Sequence, residues 1–191
     1  MRVAALVLIA FVAGAAGPPA NPDWPCAQRL VPTLTAATLW SGPAAQHDWR
    51  DDPAVAALVN QLADRRVKTE DAVAKLKAYV AGTQGDEGRA EMFAGLVDRS
   101  NAERSLAIDR LLQVSRRLRA LADAVTQATH QQDALAADAP EDQRNEIADR
   151  RGLLLRQYDE LSRTVRYACE IPVDFEKRLG EFARVLQPAA N

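Results

Sequence analysis

An all-α fold, a long antiparallel coiled-coil-like helical hairpin with two shorter helices packed at its base, is what three features of this sequence predict. Alanine, leucine, arginine, glutamate, aspartate and glutamine dominate while glycine is scarce, a composition that favours long helices. From Phe93 as far as Leu135, residues spaced alternately four and three apart form a largely apolar stripe. The same spacing returns from Ile147 onward, beyond a break at Pro140, so the two stretches should fold back on one another.

The chain begins with Met1 and Arg2, an apolar run from Val3 to Ala13, and then Ala13-Gly14-Ala15 and Gly14-Ala15-Ala16, small residues of the kind a signal peptidase accepts. Residues 1–16 are therefore expected to be a cleaved signal peptide, and the mature product a periplasmic or secreted protein. The apolar run falls short of the ~20 residues a spanning helix needs, and Pro18-Pro19 follows it. Asp23-Trp24-Pro25 also lacks the leucine and small residues that precede a lipidated cysteine. Cys26 and Cys169 are the only two cysteines, and in an oxidising compartment such a pair is expected to form a disulfide. Closing so large a loop would restrict the unfolded chain by on the order of 4 to 5 kcal/mol in the chain-entropy treatment.

Residues 17–52 are rich in Pro, Thr and Gly and hold all three tryptophans, Trp24, Trp40 and Trp49. They read as an irregular, disulfide-tethered segment, with a short helix after Thr35 whose hydroxyl would cap it. The helical bundle is expected over 53–191. A first helix runs from about Pro53 to Asp64, with Val55, Leu58, Val59 and Leu62 on one face. A second starts at Thr69, is favoured by Glu70 and Asp71 in its first turn, and reaches Gly82; these two are expected to form a short hairpin.

The first long helix is expected from about Glu87 to Ala137, its seam running through Phe93, Val97, Ser100, Arg104, Ala107, Leu111, Val114, Leu118, Leu121, Val125, Ala128, Gln132 and Leu135. Pro140 cannot continue a helix interior but fits the start of the next one. The returning seam carries Ile147, Arg151, Leu154, Tyr158, Leu161, Val165 and Ala168, meets a kink or brief break at Cys169 to Pro172, and continues through Phe175, Leu179, Phe182 and Leu186. Counting back from the turn sets Cys169 level with Leu111. Near that end a wide apolar face, Met92, Phe93, Leu96, Val97, Leu106, Ile108, Leu111 and Leu112, implies several neighbours. Nearer the turn the stripe narrows. The expectation is a four-helix base and a slender arm over about 115–165.

Three stretches bear a resemblance: Asp23-Trp24-Pro25-Cys26-Ala27-Gln28-Arg29 with Val31-Pro32, Met92-Phe93-Ala94-Gly95-Leu96 with Asn101-Ala102-Glu103-Arg104, and Tyr167-Ala168-Cys169-Glu170-Ile171-Pro172-Val173. They resemble segments of a group of uncharacterised small exported helical proteins of alphaproteobacteria. The resemblance implies export and a Cys26–Cys169 pairing, and it transfers no activity.

Chemistry is sparse. No GxGxxG, P-loop, GxSxG or HExxH occurs, so a non-enzymatic protein without cofactor or metal is expected. His47 precedes Asp48, Asp51 and Asp52, a set that offers a weak surface metal site but reads first as a polar loop entering a helix, and His130 reads as a solvated helix residue and not a ligand. Tyr158 and Tyr167 are expected in packing contacts. The formal net charge of −2, with acids and bases interleaved, argues against a nucleic-acid partner. Trp24, Trp40 and Trp49 are expected first to dock the irregular segment onto the bundle and fill its base, and otherwise to leave at least one indole exposed as an anchor for a partner or ligand. The other candidate contacts are Arg116, Arg117 and Arg119 on the arm, which could meet an acidic partner or, peripherally, lipid headgroups. Arg150 and Arg151 share that arm, where helix neighbours four residues away are the expected partners of its arginines. Two functions follow as expectations: an envelope interaction or scaffold protein that presents the hairpin to a protein partner or to itself, or a carrier or sensor of a small apolar ligand held between the base helices and the tryptophan segment.

Overall fold

The computed structural model describes residues 21–82 and 85–187. The expected signal peptide, residues 1–16, lies outside them. The described residues form five α-helices and one 3-10 turn, with no strand among them. The helices are α1 (Pro53–Ala63), α2 (Thr69–Gly82), α3 (Asp86–Asp133), α4 (Glu141–Ala168) and α5 (Glu170–Leu186).

Local chemistry accounts for where α1 and α3 begin. Asp52 caps α1, its Oδ1 accepting from the N–H groups of Ala54 and Val55 at 2.8 and 3.2 Å, and Pro53 stands at the first helical position, where no N–H is needed. Gly85 precedes α3 with φ of 86°, a left-handed conformation that a side chain would strain. The Thr35 hydroxyl, by contrast, caps nothing: the short helix expected there is a 3-10 turn, Ala36–Thr38, too brief to present a full set of free N–H groups.

The base is built from α1, α2, the first half of α3, and α5. Its core contains Val55, Val59 and Leu62 of α1, Ala72 and Leu76 of α2, Met92, Phe93, Leu96 and Val97 of α3, and Leu179, Phe182 and Leu186 of α5. Each such large side chain taken from water contributes roughly 1.5–3 kcal/mol. The expected α1–α2 hairpin is only a light contact. α1 lies chiefly on α3 and α2 chiefly on α5, because the apolar face of each is spent on a long helix and not on its sequence neighbour. Leu106, expected within the wide apolar face, is instead exposed, lying off the line of Arg104, Ile108 and Leu111 that turns inward.

α3 spans about 72 Å at 1.5 Å per residue. It stops short of the expected Ala137 because Gln132, the seam residue at that point, is exposed and buries nothing that would hold another turn. α4 returns along α3 and carries the seam through Val165. Between α4 and α5 the interruption is the single residue Cys169. Pro172 lies in the first turn of α5, where its missing N–H is least costly, and it cannot donate to the carbonyl of Ala168. At the junction, the carbonyl of Cys169 accepts from the Gln28 side-chain amide at 2.6 Å.

Candidate functional site

The disulfide joins Cys26 to Cys169 across 143 residues, with the two Cα atoms 5.6 Å apart. Around it Leu111 and Val165 are buried, with Trp24, Val114, Leu118 and Ala168 packed against them. Cys169 therefore lies level with Leu111, as counting from the turn requires.

From this staple, residues 21–52 run as a strap along α3, toward that helix's start. Asp23 meets Arg116 Nη1 at 3.1 Å and is also held by Arg119, whose Nη1 donates to the carbonyl of Pro22 at 2.8 Å. Hydrogen bonds from Arg119 first, and then Arg116, hold the Asp23 carboxyl below the usual carboxylate range. Next, Arg104 donates to the carbonyls of Val31 and Pro32 and, from Nη2, to Glu176 Oε1 at 2.8 Å. Asn101 then pairs with Leu34 twice, receiving its N–H and donating to its carbonyl, both at 2.9 Å. An irregular segment has no ladder of its own, so α3 side chains satisfy its backbone groups.

All three tryptophans dock on the protein. Trp24 donates from its indole to the carbonyl of Gln28 at 2.6 Å. Trp40 stacks on Phe93 with ring centroids 5.1 Å apart and donates to the carbonyl of Pro43 at 2.7 Å. Trp49 is buried over Gly95, where an added Cβ would come within 2.9 Å of Trp49 Cδ2 and 2.8 Å of Val59 Cγ2, so only glycine permits this approach. The Arg50 guanidinium covers its ring at 4.3 Å and reaches Asp98 at 2.6 Å. Grooves lie between α2 and α5, between α3 and α4, and beside Arg65, and no tryptophan lines any of them.

The three arm arginines do not form one patch. Arg116 and Arg119 serve the strap through Asp23 instead of the expected helix neighbours, whereas Arg117 borders a groove with Leu121, Gln157, Glu160, Leu161 and Thr164. Arg151 braces the arm internally, its Nε donating to Thr129 Oγ1 at 3.0 Å. Tyr158 is half-buried on the seam, but Tyr167, expected in a packing contact, is 81% exposed. It lies two residues from Val165, which points inward, and that offset turns it outward.

His47 does not gather its sequence neighbours. Asp48 pairs with Arg50 and is held below the usual carboxylate range, first by the Arg50 backbone N–H, and Asp52 caps α1. The imidazole lies instead beside Glu87 and Glu91 of α3. Sequence reasoning missed these two, although four-residue spacing at a helix start puts both on one face. It also missed Arg178, which donates to the carbonyls of Leu62, Asp64 and Val67 where α1 ends, and whose guanidinium burial pulls down in pKa.

Among the described residues no helix is long and apolar enough to cross a membrane. Compared with protein-family models, curated proteins and solved structures, the chain matches none, so its own residues are the ground on which a function has to be argued.

Proposed function

We propose that the mature chain is a non-enzymatic periplasmic or envelope interaction protein that presents its hairpin arm to a protein partner or to a second copy of itself. The observation that carries this reading is the arm. Between residues 116 and 164 only Ala128 is buried, so α3 and α4 there form a thin seam with their outer faces in solvent. The base core lies outside that stretch and the disulfide cluster reaches into it only at Leu118, so the fold does not need the rest of the arm to make its core. Ordering backbone costs about 1–2 kcal/mol per residue, and a long element that returns so little burial is best understood as a surface for something else. On its outer face the exposed Leu153 stands three residues from Arg150 and from Arg156, an apolar point flanked by a side chain enriched at binding hot spots.

Export is part of the proposal, supported by the signal-like residues 1–16 and by the disulfide, which persists outside reducing compartments. Contact with a membrane would be peripheral, and no nucleic-acid partner is proposed. The alternative, a small apolar ligand held against the tryptophan segment, has less support. The indoles are already packed on Phe93, Gly95 and the disulfide cluster, and the groove that borders that cluster through Leu111, Val114 and Ala168 has no tryptophan in its lining.

A photo-crosslinking side chain at Leu153 or Arg117 is expected to capture a partner, or another copy, in the envelope of the native host. The same group at the exposed Lys177, on the base, is not. Shortening 122–160 to a tight turn, which spares Leu118, Val165 and the arginines that hold Asp23, should leave a folded, disulfide-bonded base and abolish capture from Arg117; capture that survives the shortening sinks the reading.

A further inference from the structure

His47 comes from the strap and Glu87 and Glu91 from the first turns of α3, yet one donor atom from each lies within 4.8 Å of the other two. His47 Nδ1 is 3.3 Å from Glu91 Oε1 and 3.5 Å from Glu87 Oε1. The arrangement is held from both sides. Ahead of it the Gln46 N–H donates to Glu87 Oε1 at 2.7 Å, and behind it Trp49 is locked over Gly95.

We propose that His47, Glu87 and Glu91 form a binding site for a divalent transition-metal cation, Zn²⁺ being the best match. Zinc bonds of about 2.0–2.2 Å to imidazole and carboxylate, arranged tetrahedrally, put neighbouring donors roughly 3.3–3.5 Å apart. The two distances from His47 Nδ1 have this value, and both exceed the 2.7–3.2 Å of an ordinary N–H···O hydrogen bond. One nitrogen and two carboxylates suit a borderline cation, whereas Ca²⁺ and Mg²⁺ ask for about six or more oxygens. The positive end of α3 alone would repel a cation. Asp86, Glu87 and Glu91 outweigh both that end and the single cation Arg89 within the first two turns. With the His47 side chain 69% exposed, solvent can reach the remaining coordination position. Bound there, the ion clasps the strap to α3 at the end opposite the disulfide, independently of what the arm contacts.

His47 and His130 are the only histidines, so the test can be read ring by ring. Adding ZnCl₂ to the oxidised mature protein is expected to shift or broaden the NMR signals of the His47 imidazole at stoichiometric metal, to leave those of His130 unchanged, and to raise Tm with increasing zinc. CaCl₂ at the same concentration should leave both rings unchanged. In competition with a chromogenic chelator, His47→Ala and Glu91→Gln should each weaken zinc binding at least ~10-fold, since disturbing even an outer partner of a metal site costs about 10–100-fold. His47 is exposed and Glu91→Gln keeps its shape, so both variants should retain the wild-type circular dichroism. Equal responses at His47 and His130, unchanged affinity in the variants, or no zinc binding by the wild type at millimolar metal would each overturn the proposal.

Discussion

Arg104 occupies a seam position where the heptad repeat asks for an apolar side chain, and it is 2% exposed. Its planar fork reaches two strap carbonyls and Glu176 together, which a point charge on a flexible stem does not reproduce. Truncation would leave those carbonyls and half-solvated Glu176 without their donor. Arg104→Ala is therefore expected to cost about 2–4 kcal/mol in urea unfolding with the disulfide intact, and Arg104→Lys to recover little of it. A wild-type midpoint in Arg104→Ala would show that the strap is held without it. The sequence marks Ser100 and Arg104 only as polar flaws in a stripe. The partners of Arg104 come from some seventy residues away, and no spacing rule points there. The tryptophans were legible as docking residues, but Gly95 beneath Trp49 carried no signal beyond a glycine within a helical pattern.

Helix ends show a second level of control. The side chain and backbone of Arg66 donate to Asp64 where α1 stops, and together with the charge of Arg178 hold its carboxyl down at about 2. Since the folded value is below the ordinary 3.8, the stabilising contribution is complete above that value and is lost as pH falls toward 2. Asp64→Asn is therefore expected to lower the urea midpoint at neutral pH, and the gap from wild type should close between about pH 4 and pH 2. A gap that is constant over that range would assign the effect to something other than this carboxylate. Most helix limits were legible because caps, prolines and first-turn acids act within a few residues. The C-terminus of α3 was misplaced because periodicity in the letters runs on through Gln132, an exposed residue that burial does not reward.

The chain as a unit is tied at one level, where Cys26 meets Cys169 beside Leu111. Replacing both cysteines by serine is expected to cost about 2–5 kcal/mol, seen as a lower Tm. Hydrogen exchange should rise first in residues 21–52, while the core of Leu62, Leu76, Phe93 and Phe182 stays protected. Uniform loss of protection would show that strap and base unfold together. Helical class, the two seams, the break at Pro140 and the partners of the two cysteines were all present in the residues read alone. Those follow from local backbone geometry, from a period near 3.6 residues and from there being only one possible pairing of two thiols. Which helices α1 and α2 cover, how the strap crosses Arg104 and Asn101, and that His47 lands on Glu87 and Glu91 emerged on folding. Such contacts join points far apart in the chain and are selected by which surfaces bury one another, a choice that leaves no periodic trace along either partner.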